Sequence, residues 1–254
     1  MCTISWFYHE HGYELFFNRD ESRERPKADI PRIHNGSVRS IMPIDPQGGG
    51  TWLGVNEYGI SCALLNFYQG VLPKGALRSR GQIVSSLMAC KDVDSVANAI
   101  GALELSRHAP FSLLVFPPDG DNVGSIMWQW TGRSLDRVQQ ISPLISSAYD
   151  FSSVRESRHS MYQEVTPTAL GEVKQLRFNS AEQLVDRRIE IHAELHRSHR
   201  PSKSAYSICM HRDDAETMSF SHISVGQSRV LFRYADGAPC STPLLEAAVL
   251  DLKC

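Results

Sequence analysis

The sequence predicts an α+β fold of two stacked, mainly antiparallel sheets with helices outside. Three observations carry this. The expected elements come in blocks, strands then helices, twice over, and strands close the chain, unlike the strict alternation of a doubly wound fold. The first strands read as hairpins with short turns. Ile60 to Leu65 is apolar at nearly every position, which suits a strand buried on both faces.

Taken in order, Thr3 to Tyr8 and Tyr13 to Asn18 are β-rich runs, and His9-Glu10-His11-Gly12 between them is a turn signal. Residues 22–50, rich in Arg, Pro, Asp and Gly, read as a long excursion. It is either a pocket wall or a solvated insertion. Gln47-Gly48-Gly49-Gly50-Thr51 lacks the Lys-Ser/Thr of a phosphate loop, and a strand follows it. Its glycines suit close backbone approach or unusual dihedrals. Trp52 to Val55 and Gly59 to Phe67 form a second hairpin.

Helices are expected at Arg80 to Ala89, capped by Ser79, and at Val93 to Leu105, capped by Asp92 or Asp94. Strands follow at Phe111 to Phe116 and Val123 to Trp130 around a turn at Pro117 to Gly120, then at Ser134 to Ile141 and Leu144 to Tyr149. Residues 154–165 and 180–198 read as helices, the second capped by Ser180. Ser204 to His211, Thr217 to Ser224 and Gln227 to Tyr234 read as closing strands. No internal repeat is evident, and 1–254 reads as one domain.

The 254 residues are 42% hydrophobic and 21% charged, ample for a large core. A net charge of −2 gives no reason to expect a nucleic-acid partner. No apolar run approaches the roughly 20 residues that span a bilayer. The start lacks a basic region before an apolar core, so no signal peptide is expected. The six cysteines form no Cys-x-x-Cys pair, and their spacing suggests neither a zinc site nor a disulfide scaffold. A reducing cytoplasm is the expectation, without cofactor or metal; a homo-oligomer stays open. Cys62, Cys90 and Cys209 read as core, and Cys254 as an exposed thiol. His192 and His196 lie four apart on a helix, but Ala193 stands where a zinc protease needs Glu, so a solvated helix end is favoured.

Chemistry concentrates at the start of the chain. If Met1 is removed, Cys2 carries both a thiol and a free α-amine. A weak nucleophile needs a nearby base, and an α-amine with a pKa of roughly 8 can serve. The expected hairpin brings Asn18-Arg19-Asp20-Glu21 back beside Cys2.

Asn18-Arg19-Asp20-Glu21 resembles the signature of the NRDE proteins, related to the transport and Golgi organisation 2 family. Met1-Cys2 and Gly49-Gly50-Thr51-Trp52-Leu53-Gly54 match the same pattern. The resemblance implies an N-terminal-nucleophile (Ntn) hydrolase-like, four-layer αββα sandwich. Asn56-Glu57-Tyr58-Gly59-Ile60 and Leu65-Asn66-Phe67 are similar to the choloylglycine hydrolase and penicillin acylase branch. That branch implies Cys2 as nucleophile, Asn18 and Asp20 as matched site residues, and Asn66 as an oxyanion donor. Its Arg position holds Phe17 here, so the charge falls to neighbouring Arg19, which could instead make an ion pair with Glu21. A second oxyanion Asn expected near 147 is replaced by Ser146-Ser147-Ala148. Trp52, Tyr68 and Leu72 are candidate pocket walls.

Together these features point to an amidohydrolase acting on a small-molecule, non-peptide amide or related acyl bond. One rival is a haem or lipid carrier on the same scaffold, with Cys2, His9 and His11 as candidate haem ligands. The other is an interaction protein whose polar block is only structural.

Overall fold

The chain begins with a hairpin. In the computed structural model, which describes residues 1–75, 77–118, 124–166 and 180–253, β1 (Cys2–His9) pairs antiparallel with β2 (Gly12–Ser22). Cys2 stands opposite Arg19, and His9 opposite Gly12. Side chains alternate between the two faces of a strand. Ile4, Trp6, Tyr13, Leu15 and Phe17 therefore turn to one core, while Phe7 and Phe16 turn to another. Gly12, at a φ of 145°, lies against β11 so closely that a Cβ would meet the Val225 carbonyl oxygen at 1.9 Å.

Seven strands form one sheet in chain order: β3 (Asp29–His34), β4 (Ser40–Ile44), β5 (Leu53–Asn56), β6 (Ser61–Asn66), β7 (Phe111–Phe116), β8 (Ile126–Trp130) and β9 (Leu135–Val138). The other sheet has the order β10 (Leu144–Ser146), β1, β2, β11 (Ala215–Val225), β12 (Arg229–Ala235) and β13 (Ala248–Asp251). All these pairings are antiparallel.

The largest core lies between the sheets, where Ile4, Leu15 and Phe17 meet Leu53, Leu65 and Phe116. Helices α1 (Gly81–Leu87) and α2 (Val93–Gly101) bury Ile83, Val84, Leu87, Val96 and Ile100 on the outer face of the seven-stranded sheet. Helices α3 (Phe151–Val165) and α4 (Ala181–Arg197) cover the six-stranded sheet, α4 through Val185 and Ile189 on Phe7, Phe16 and Phe220. The layers run helix, sheet, sheet, helix, as expected.

Several elements differ from the sequence reading. Residues 22–50 are not a continuous loop but contain β3 and β4. β3 is an exposed edge strand carrying Pro31, which disguises it as a loop. Pro43 lies beyond the two β4 positions that pair with β5. Ser204 to His211 is irregular rather than a strand. It is apolar and buried, but side chains bond its carbonyls: Arg158 takes Ala205 O, and Asn18 takes Ile208 O. β13 was not anticipated.

Helix α1 starts at Gly81 with Arg80 as its N-cap, although Ser79 Oγ accepts the Gly81 N–H at 3.3 Å. Helix α2 ends at Gly101, and a separate turn of 3₁₀ helix spans Leu105–Arg107; Asp92 makes a full capping box at its start. Helix α3 starts three residues early, at Phe151. β8, β9 and β10 are shorter than expected. Part of the turn at Pro117 to Gly120, the strand start at Val123, and Cys254 lie outside the described residues.

The end of α4 is not solvated. His192 is 2% exposed and His196 fully buried. Ser5 Oγ lies 2.8 Å from His192 Nδ1 and 2.9 Å from His196 Nε2, and His196 Nδ1 lies 2.9 Å from Asn18 Oδ1. Outward-facing Ser5 and Asn18 need partners once α4 covers them, and the two histidines supply them.

Burial pushes the His192 pKa down to about 3 and that of His196 well below its ordinary value. Both rings therefore stay neutral in the fold, while the unfolded chain protonates them below about pH 6.5. Stability is fully present above that pH and declines as pH falls, by about 1.4 kcal/mol per pH unit per histidine. Urea unfolding between pH 7 and pH 5 should show this loss, and His192→Gln should flatten the slope.

Candidate active site

A cleft of about 460 Å³ opens where the start of β1, the end of β2, the end of β6 and the end of β10 converge. Residues around 45–52 and 77–81 wall it. Strand alternation explains who faces it. Cys2 follows the inward face of Ile4 and Trp6, and Arg19 follows that of Leu15 and Phe17. Arg19 lies over the Trp52 ring, 4.5 Å from its centroid, and approaches Glu21 at 3.4 Å and Asp45 at 3.5 Å. Adjacency in the strand did put Arg19 on the opposite face from Asn18, and that face is the one with Cys2.

Met1 extends β1 into the cleft mouth. Its ammonium donates to Asp20 O at 3.0 Å, and its carbonyl accepts the Asp20 N–H at 3.0 Å. Asp20 thus meets the terminus through its main chain. Its carboxylate is fully buried and held elsewhere. Arg158 Nη1 donates to Oδ2 at 3.1 Å, and Thr217 Oγ1 to Oδ1 at 2.7 Å. Arg158, on α3, is also fully buried and bonds Thr3 Oγ1 at 2.6 Å and Ala205 O at 2.9 Å. The sequence reading missed Arg158: it sits in a polar helix with no motif around it, and the one available signal was that a buried carboxylate requires a cation.

Asn66 closes β6 beside the cleft. Its Nδ2 donates to the Tyr68 hydroxyl at 2.9 Å, which leaves its second N–H uncommitted to that bond. Its carbonyl accepts from Ser146 Oγ, and Ser146 pairs with Cys2 across β10 and β1. Ser147 Oγ donates to Tyr149 O and touches Met1 Sδ at 2.8 Å.

Cys2, Arg19, Asp20, Asn66 and Trp52 therefore line one cleft. Asn18 does not: its amide is engaged by His196 O and Ile208 O, each at 2.9 Å, in the helix layer. Tyr68 is not part of the lining but bonds Asn66 and lies near enough to feel the Cys2 and Arg80 charges, and Leu72 is 68% exposed outside the lining. Cys2 and His9 occupy opposite ends of β1, about 23 Å apart at strand spacing. They cannot ligate one haem iron together, and His11 lies at the His9 end.

Burial pushes the Cys2 thiol up. The terminal ammonium opposes this rise, and the Asp20 carboxylate adds to it. Burial would also raise Asp45, but Arg25, at 2.5 Å, and Arg19 hold its carboxyl below the usual range. Arg19 and Arg25 so occupy the cleft acids Glu21 and Asp45. Arg78 and Arg80 also line the wall and have no carboxylate partner within ion-pair distance among the described residues; Arg80 Nη1 donates to Pro110 O.

Two facing antiparallel sheets between helix layers, with the N-terminal strand starting in a cleft, define an Ntn-hydrolase-like scaffold. Penicillin V acylase from Agrobacterium tumefaciens shares it at a TM-score of 0.54 and 10% identity, over 93% of this chain and 86% of that one. The C2A mutant of the conjugated bile acid hydrolase from Clostridium perfringens does so at 0.53 and 14%, over 100% and 97%. At these identities the likeness is one of fold. Residues 1–223 match the family described as Transport and Golgi organisation 2, and the chain belongs to that family. The Transport and Golgi organization protein 2 homolog of Bos taurus is 34% identical over 92 residues, 35% of this chain. The match spans 33% of that relative's length.

The Asp20–Arg158 pair sets a stability test. Removing one partner of a buried pair strands the other charge and costs about 3–5 kcal/mol. Asp20→Asn should lose that much in urea unfolding. Combining it with Arg158→Met should lose less than the sum of the two single changes.

Proposed function

We propose that the chain, once Met1 is removed, is an Ntn amidohydrolase acting on a non-peptide amide or related acyl bond. The observation that carries this is the thiol of Cys2 at the inner end of the cleft, one residue from the chain start, with Arg19 opposite and Asn66 alongside.

In this reading the Cys2 α-amine takes the thiol proton as sulfur attacks the carbonyl carbon. The oxygen gains the displaced electron pair, and the free N–H of Asn66 with main-chain N–H groups stabilises it. The α-ammonium then passes its proton to the leaving nitrogen as the C–N bond breaks. Water, deprotonated by the same amine, hydrolyses the thioester and restores Cys2. Arg19, held by Trp52, Glu21 and Asp45, fixes the electrostatics on the thiol's side of the sheet. Asp20 anchors β2 to α3 through its carboxylate, while its main-chain bonds to Met1 are lost on excision. Arg78 and Arg80, which have no carboxylate partner among the described residues, favour a substrate bearing a carboxylate or another anionic group.

Excision of Met1 is required in this scheme. With Met1 in place the α-amine belongs to another residue, and desolvation holds the thiol pKa above its ordinary value.

Intact mass spectrometry before and after a thiol-reactive acyl probe tests the proposal. A mass lacking Met1 and a single adduct on Cys2, absent in Cys2→Ala, is the expected result. A chain carrying an uncleaved N-terminal extension should lose about 10²–10⁴-fold in kcat/KM, the usual contribution of a general base. Equal turnover with and without the extension would sink the α-amine role. Among acyl substrates, Arg80→Met should raise KM for anionic ones and leave neutral ones unchanged.

A further inference from the structure

A second cluster lies outside the cleft. His199 follows the end of α4, Cys209 and His211 lie between α4 and β11, and Cys240 lies between β12 and β13. One ligand atom from each falls within 4.8 Å of all the others. His211 Nε2 is the centre: His199 Nε2 is 3.2 Å away, Cys209 Sγ 3.6 Å and Cys240 Sγ 3.4 Å.

Hydrogen bonding does not account for this convergence. One imidazole nitrogen offers either a single N–H or a single lone pair, so it cannot satisfy three partners at once. A cation among the four atoms can. A tetrahedral ion with metal–nitrogen bonds of about 2.0 Å and metal–sulfur bonds of about 2.3 Å sets nitrogens about 3.3 Å apart and nitrogen from sulfur about 3.5 Å apart. The three separations agree with those values to about 0.2 Å.

We propose that His199, Cys209, His211 and Cys240 form a structural zinc site. Two thiolates and two imidazoles in tetrahedral array select Zn²⁺ among common ions. Four protein ligands leave no open position, so the role is structural rather than catalytic. The surroundings support the ligands. Glu216 Oε2 lies 3.8 Å from His211 Nδ1, an ion-pair contact on the nitrogen turned away from the cluster, and the Cys209 N–H donates to Ser198 O at 3.0 Å.

The site fastens a stretch with no ladder of its own. That stretch holds Asn18 through Ile208 O, and Thr217 beyond it holds Asp20. Zinc would thus clamp the backing of β2 from behind, whether or not the cleft is catalytic. Such a site departs from the expectation of no metal for a physical reason. The four ligands come from three segments, and cysteine spacing reads only local motifs. Cys209 is buried, as expected, but its sulfur faces partners rather than apolar core.

Elemental analysis of the full chain, purified without a metal-binding tag, should find about one zinc per chain. Replacement by Co²⁺ under reducing conditions should give the visible bands of tetrahedral cobalt and a thiolate-to-metal charge-transfer band. Cys240→Ser and His199→Gln lie at half-buried positions, and each should lower zinc retention about tenfold or more with far-ultraviolet circular dichroism unchanged. Glu216→Gln should weaken binding about 10-fold. Chelation of the unmodified chain needs no variant and should release the zinc and lower Tm. Three results would overturn the proposal: no zinc and no cobalt bands, full zinc retention in both ligand variants, or a Cys209–Cys240 disulfide in place of metal. Zinc removal with no change in Tm would overturn its structural role.

Discussion

The register of the first hairpin governs everything else in this molecule. Cys2 pairs with Arg19, and from that one match each side chain of β1 and β2 has its face assigned. A slip of one residue would send Leu15, Phe17 and Arg19 into the helix layer and bring Asn18 and Asp20 into the inter-sheet core. The pattern resists this at both ends. Gly12 fits against β11 only at the turn, and Asp20 pairs its main chain with Met1 only in this alignment. Apolar burial along the middle, from Ile4 to Trp6 and Tyr13 to Phe17, supplies most of the driving force.

Behind the cleft, the outward faces of the same strands carry a web of buried polar groups. Ser5, Asn18, His192 and His196 form one part, and Thr3, Asp20, Arg158 and Thr217 the other. Such groups add little net stability when satisfied, but each becomes expensive if a partner is lost. The result is specificity of docking. Helices α3 and α4 fit the sheet in the arrangement that pairs these groups, Arg158 Nε excepted. The position of Cys2 is thereby tied to side chains that never reach the cleft.

Local pattern made much of this legible. Strand alternation, the turn at His9 to Gly12, the caps at Asp92 and Ser180 and the apolar spacing of α1 and α2 all act over a few residues, and all lie close to where the sequence puts them. So did the meeting of Cys2 with the 18–21 block. What stayed hidden depends on distant partners. β3 looks like a loop because an exposed edge strand needs no apolar alternation. Ser204 to His211 looks like a strand because it is apolar and buried, yet its carbonyls are bonded by side chains from β2 and α3. His192 and His196 look like surface residues because their partners, Ser5 and Asn18, are more than 170 residues away. Asn18 illustrates the remaining error. Membership of a signature assigned it to the site, whereas strand parity turned it to the other side of the sheet.

The contact of Gly50 with Gly81 bears on how this scaffold can diversify. A Cβ on Gly50 would lie 2.3 Å from the Gly81 carbonyl carbon, and Thr51 N–H donates to Gly81 O at 3.1 Å, so main chain rests on main chain at this wall. A side chain at Gly50 cannot be accommodated without moving α1, and at Gly81 a Cβ would meet Thr51 N at 3.0 Å, which leaves little room there either. Selection for a new ligand has no variable residue to act on there. It must work through the side chains that wall the cleft, such as Arg25, Gln47, Leu77 and Arg78. Kin of this chain that handle different molecules would then share an unaltered floor and differ at its margins.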